Sequence, residues 1–96
     1  MAQIVYSANA LDNLERAFRT LARDAPSAAV AAAHAIRSAV EMLAFHPMVG
    51  RIVVGELREL VISYGKTGYV ALYRYLPNTE EVRVLAIKHQ RELDYP

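Results

Sequence analysis

The chain has 96 residues, 54% of them hydrophobic and 22% charged, with no cysteine and a net charge of +1. That balance belongs to a globular chain with apolar material for one core rather than to a disordered one, and it excludes disulfide staples and thiolate chemistry. Eleven basic against ten acidic residues also argue against a long phosphate-tracking surface, because each backbone phosphate contact needs its own cation.

The first element, Gln3–Tyr6 (QIVY), is rich in strand formers. Ser7 or Asn9 can cap the helix that follows by offering an oxygen to a free first-turn amide. Leu11, Leu14, Phe18 and Leu21 then recur on one helical face. On the other face Asp12–Arg16 and Glu15–Arg19 are i,i+4 pairs in the favourable order, each contributing about 0.2–0.5 kcal/mol. The stretch ARDAPS breaks this helix, and Pro26 suits the first turn of a second. That second helix is expected to run to about Phe45. It contains AAVAAAHA, with Val30, Ala33, Ile36, Val40 and Leu43 as its buried stripe. Pro47 and Gly50 end it, so residues 7–45 read as an antiparallel helical hairpin.

GRIVVGE (50–56) can hold a short extended piece whose boundaries the sequence does not define. From Leu57 the period changes to two. LRELVISY, YVALYRYL and EVRVLAIK are separated by the turn compositions GKTG and PNTE. The expected architecture is α+β in the order β-α-α-β-β-β, with the helical hairpin on one face of a small, mainly antiparallel sheet. Residues 1–96 read as a single domain. No apolar run reaches the length of a membrane span, no leader pattern opens the chain, and a soluble cytoplasmic protein is expected.

A three-residue turn at Lys66-Thr67-Gly68 would pair Ile62 with Leu72 and Leu60 with Arg74, and a four-residue PNTE turn would pair Leu76 with Glu81 and Arg74 with Arg83. Leu72 would then face Leu85, and Val70 would face Ile87. This register gathers Arg58, Arg74 and Arg83 at one end of the sheet and Lys66, Lys88, His89 and Arg91 at the other. The two groups lie about 20 Å apart. Tyr69, Tyr73 and Tyr75 would line the face away from the helices as an aromatic row. Each feature has two readings. The arginines either form a contact surface or pair with Glu56, Glu59 and Glu81. Lys88 to Arg91 is either a working end or a solvated strand exit. The tyrosines are either a stacking platform or a half-buried sheet face. His34, His46 and His89 are scattered without an i,i+4 partner, so no metal site is expected. No phosphate loop or other cofactor pattern is present.

The strand opening QIVYS, the helical hairpin, HPMVGR leading to LRELVI, then YVALYRY and finally VLAIKHQREL together resemble the RelE/ParE family of type II toxin–antitoxin toxins. The resemblance covers nearly the whole chain. It implies a toxin neutralised by a small cognate antitoxin, ParD- or RelB-like, in a hetero-oligomer. RelE-like members cut messenger RNA on the ribosome and need a general base and cations at the reacting phosphate, whereas ParE-like members poison DNA gyrase without turnover of their own. The ending AIKHQREL is similar to the His-x-Arg ending of ParE-like, plasmid-stabilisation toxins. Nuclease members often carry an arginine where this chain has Gly68-Tyr69-Val70, and a lysine-rich stretch where it has IVVGEL. The resemblance therefore implies gyrase as target, with Arg58, Arg74, Arg83, Tyr73, Tyr75, Lys88, His89 and Arg91 as contacts to target or antitoxin. In the alternative, a ribosome-dependent endonuclease, His89 would be the acid/base and Lys88, Arg58 and Arg74 would stabilise charge.

Overall fold

The computed structural model describes residues 1–64 and 67–90. Strand β1 (Gln3–Tyr6) leads into helix α1 (Ala8–Asp24) and helix α2 (Pro26–Glu41), a single 3-10 turn (Met42–Ala44), then β2 (Arg51–Val54), β3 (Leu57–Tyr64), β4 (Thr67–Leu76) and β5 (Glu81–His89). The short piece at 50–56 is thus a strand in its own right, and the order gains one β element over the expected β-α-α-β-β-β. The five strands lie in the order β1-β5-β4-β3-β2, with β1 parallel to β5 and the other pairs antiparallel. The helical hairpin packs on one face, α1 against β5 and α2 against β3.

Local chemistry accounts for the hairpin. Ser7 Oγ accepts from the Ala10 amide at 3.0 Å and caps α1. A residue before proline is driven out of the helical region; Ala25 is accordingly extended (φ −151°, ψ 91°), which ends α1 and starts α2 at Pro26. The buried line of α2 is Ala29, Ala32, Ile36 and Val40, continued by Leu43 of the 3-10 turn. It is offset by one residue from the expected stripe over its first turns: Val30 is 61% exposed. Small methyl groups at 29 and 32 let α2 approach α1 and the sheet closely, and the bulkier valine is left outside. In α1, Ala10 is fully buried, Leu14 and Leu21 are half-buried, and Leu11 and Phe18 are exposed.

The β3–β4 register is the main departure. Arg58 pairs with Tyr73, Leu60 with Ala71, Ile62 with Tyr69 and Tyr64 with Thr67. Only two residues connect the strands, not three, and the pairing is displaced by three positions from the expected one, with Ile62 opposite Tyr69 in place of Leu72; an odd displacement turns every side chain of β4 over. Tyr69, Ala71, Tyr73 and Tyr75 therefore face the helices, while Val70, Leu72 and Arg74 face away. On β5, Leu76–Glu81 and Arg74–Arg83 pair as expected. A bulge then leaves Leu85 as an extra residue, so that Leu72 pairs with Ala86 and Val70 with Lys88, in place of Leu85 and Ile87.

That bulge is stitched to α1. Beyond Val84, β1 has left the sheet, and side chains of α1 and its cap supply the missing partners. Ser7 Oγ and Asn9 Nδ2 donate to the Leu85 carbonyl at 3.1 and 3.0 Å, and Asn13 Oδ1 accepts from the Ile87 amide at 3.0 Å. Backbone groups of a buried strand must be paired, so these three polar residues bind the hairpin to the sheet.

Candidate functional site

At one end of the sheet the chain passes from the 3-10 turn to β2 over a loop fixed by hydrogen bonds. The Ala2 amide donates to the Ala44 carbonyl at 2.7 Å. The Gly50 amide donates to Tyr73 Oη at 2.8 Å, and Arg58 Nη1 donates to the carbonyls of Met48 at 3.0 Å and Gly50 at 2.7 Å. Position 50 has to be glycine: a Cβ there would lie 2.6 Å from Tyr73 Oη and 2.7 Å from the Glu59 carbonyl oxygen. Burial pushes the Tyr73 hydroxyl above the ordinary tyrosine range, against the opposing pull of the Gly50 amide and the Arg58 charge. On the face away from the helices, Arg51 forms an ion pair with Glu59, a carboxylate only 3% exposed.

The arginine group expected at this end does not assemble. Arg58 lies on the helix-facing side, occupied with loop carbonyls, whereas Arg74 and Arg83 stand directly opposite each other on the outer side. Arg83 pairs with Glu81 two residues away, which offsets the repulsion of the facing arginines. Arg74 is exposed and has no hydrogen bond or ion pair among the described residues. Glu59 takes Arg51 as its ion-pair partner. The expected outer tyrosine row is also corrected: Tyr69 and Tyr73 are buried in the core and Tyr75 is half-buried against it. Tyr73 therefore presents no surface to a partner.

At the other end, Lys88 and His89 point to opposite faces, as neighbours along a strand must. Lys88 pairs across with Val70 on the outer side. His89 pairs with Tyr69 on the helix side, where the two rings meet edge to face at 5.3 Å and 82°. Lys66 and Arg91, expected in the same group, lie outside the described residues. Along β5, Arg83 and His89 are six residues apart, about 20 Å. Among the described residues no three His, Asp or Glu side chains cluster as a metal site would require, and no helix is long and apolar enough to cross a membrane.

Sequence reasoning missed two features. The first is the Gly50–Tyr73–Arg58 brace, which joins residues far apart in the chain. The second is a run of exposed apolar side chains at Phe45, Met48, Val49, Ile52 and Val54. Their signal was present in HPMVGRIVV, where apolar residues follow neither a helical nor a strict strand period.

The model of the ParE toxin of type II toxin–antitoxin systems, of the parDE kind, matches residues 4–94. The chain belongs to that family. Toxin RelE3 of Caulobacter vibrioides is 37% identical to this ParE-family chain over 92 residues, covering 96% of this chain and 98% of the relative. Among solved structures, a chain of the chromosomal ParDE toxin–antitoxin system from P. aeruginosa superposes with a TM-score of 0.76. It covers 93% of this chain and 96% of that one at 20% identity, a likeness of fold. The ParE-family chain is thus a toxin of a type II toxin–antitoxin system.

Proposed function

We propose that the chain arrests growth by binding and poisoning DNA gyrase, and that a cognate antitoxin of the ParD or RelB kind holds it inactive in a hetero-oligomer. The observation that carries this is the dispersal of the groups a nuclease would need. Cleavage through a 2′-hydroxyl requires a base and charge-stabilising cations within hydrogen-bond reach of one phosphate. Here Lys88 and His89 take opposite faces, Arg58 is held by loop carbonyls, and Arg74 stands on the outer face at the far end of the strands. A binding protein has no such requirement: Arg74, Arg83, Lys88 and His89 can each touch a target without converging. The low net charge points the same way, since a ribosomal RNA surface rewards a basic excess.

Purified gyrase, supercoiled plasmid and this chain make the direct test. Loss of supercoiling with accumulation of cleaved complexes is the expected result, and full supercoiling activity at excess toxin would end the proposal. The second reading is ribosome-dependent mRNA cleavage. It is favoured by the half-buried His89 imidazole beside Tyr69, and by the name of the Caulobacter relative. Under it, His89→Gln abolishes cleavage on programmed ribosomes; under gyrase poisoning, wild-type chain cuts no message there.

A further inference from the structure

Val82, Val84 and Ile87 of β5 all belong to the core on the helix side of the sheet. Residues of an unbroken strand share a face only at even spacing, and the step from 84 to 87 is odd. One extra residue between them is required, and Leu85 is that residue: Val84 pairs with Tyr73 and Ala86 with Leu72. The same insertion decides how the strand exit points. Continued without it from Arg74–Arg83, the ladder would set Lys88 opposite Tyr69, under the helices, and His89 opposite Gly68 on the outer side. With it, Lys88 lies opposite Val70 on the outer side, and the His89 ring meets Tyr69 on the helix side.

The groups that hold this bulge come from the start of α1. β1 pairs with β5 as far as Tyr6–Val84, and the Ser7 amide donates to the Val84 carbonyl at 2.9 Å. Past that point side chains replace the strand. Ser7 Oγ and Asn9 Nδ2 donate to the Leu85 carbonyl, and Asn13 Oδ1 accepts from the Ile87 amide. Asn9 and Asn13 stand one helical turn apart on a shared face of α1, with Asn9 Nδ2 3.5 Å from Asn13 Oδ1. A bulge bends its strand and interrupts the ladder. Contacts at 85 and 87 bracket Ala86, so they fix that bend one residue before Lys88, and with it the direction in which Lys88 and His89 leave the strand.

We propose that Asn9 and Asn13 are positioning residues: through the Leu85 bulge they hold His89 against Tyr69 and Lys88 on the opposite face, the presentation in which this end of the sheet meets its target. The inference rests on the reading of Lys88 and His89 as target contacts, and it gives neither asparagine a target contact of its own. Ser7 shares the role but also caps α1, so its loss would unseat the helix as well.

The test compares the full-length wild type with three variants. Asn9→Ala/Asn13→Ala removes both side chains, Asn13→Asp keeps an acceptor for the Ile87 amide, and Lys88→His/His89→Lys exchanges the two groups between faces. Nuclear Overhauser effects between the Tyr69 and His89 rings and hydrogen exchange at the Ile87 amide report the positioning. The Gly50 amide, bonded to Tyr73 at the far end of the sheet, is the control for the fold. Growth arrest on induced expression, at matched protein level, is the functional readout whichever target is hit, and supercoiling by purified gyrase tests that target separately. In the double alanine variant the ring contacts are expected to weaken, Ile87 to exchange about tenfold faster with Gly50 unchanged, and the amount of chain needed for arrest to rise about tenfold. Asn13→Asp should stay within about threefold of wild type in both, and the exchanged-group variant should lose arrest with its bulge intact. If the double alanine variant keeps the ring contacts, or loses them and arrests growth as the wild type does, the positioning role is wrong while wild-type inhibition of gyrase leaves the target reading standing. Full arrest by the exchanged-group variant overturns the role equally, and does so even should the alanine variant fail to fold. A wild-type chain that arrests growth and leaves supercoiling intact removes gyrase as target, and the positioning role is then decided by the same arrest measurements.

Discussion

Replacing Tyr73 by phenylalanine removes one oxygen and leaves the ring in place. Tyr73 is wholly buried, and its Oη lies 2.8 Å from the amide of Gly50, itself buried. A neutral hydrogen bond contributes about 0.5–1.5 kcal/mol net, but a buried donor left without a partner costs about 1–3 kcal/mol. Tyr73→Phe is therefore expected to lose about 1–3 kcal/mol, out of the roughly 5–15 kcal/mol usual for a domain. Each kcal/mol lowers the melting temperature of a chain this size by about 4–8 °C. Thermal and urea melts followed by circular dichroism give the number. Gly50→Ala should be worse, because its Cβ would fall 2.6 Å from Tyr73 Oη and 2.7 Å from a backbone oxygen, which cannot swing aside. A Tyr73→Phe variant melting within about 1 °C of wild type would refute the brace, as would a Gly50→Ala variant more stable than it.

Three further outcomes follow from buried polar groups. The Tyr6 hydroxyl is buried without a hydrogen-bond partner among the described residues, so Tyr6→Phe is expected to leave stability unchanged or raise it by about 1 kcal/mol in urea unfolding. Burial raises the pKa of both Tyr6 and Tyr73 above the usual tyrosine value. The neutral phenols are thus favoured by the fold, and their contribution is complete below the unfolded pKa of about 10 and is lost as pH climbs through the folded values. Unfolding free energy measured between pH 9 and 11.5 should fall less steeply in Tyr6→Phe/Tyr73→Phe than in wild type; identical slopes would contradict this. Arg51→Ala withdraws a guanidinium from the buried Glu59 carboxylate and is expected to cost about 1–3 kcal/mol. Arg51→Leu/Glu59→Leu, which removes both charges, should cost less than the single change in the same melts.

Much of the candidate site was legible residue by residue but not as an arrangement. Arg58, Arg74, Arg83, Lys88 and His89 stand out in the sequence as polar groups on apolar strands. Their grouping hung on the β3–β4 loop, and one residue of loop length sends Arg58 and Arg74 to opposite faces. The run of exposed apolar side chains from Phe45 to Val54 escaped notice because exposure there is a matter of what fails to cover it: the helical hairpin packs elsewhere on the sheet, so Ile52 and Val54 are left in water despite their strand chemistry.

Local physics in the sequence determined the order β-α-α-β-β-β apart from β2, a helix cap at Ser7 or Asn9, the break at Pro26 and the starts of β3 and β5, because capping, proline geometry and hydrophobic period act within a few residues. Only the tertiary structure decided which side of β4 is the core. Val70-Ala71-Leu72-Tyr73 offers apolar side chains to both faces, so neither register is disfavoured by the strand itself. The helices settle it: alanine at 71 fits the helix-facing core, and the hydroxyl of Tyr73 finds the Gly50 amide only when the ring turns inward. The Leu85 bulge has the same origin. Its carbonyl is satisfied by Ser7 and Asn9, residues 78 and 76 positions away in the chain, and no local pattern announces a partner at that distance.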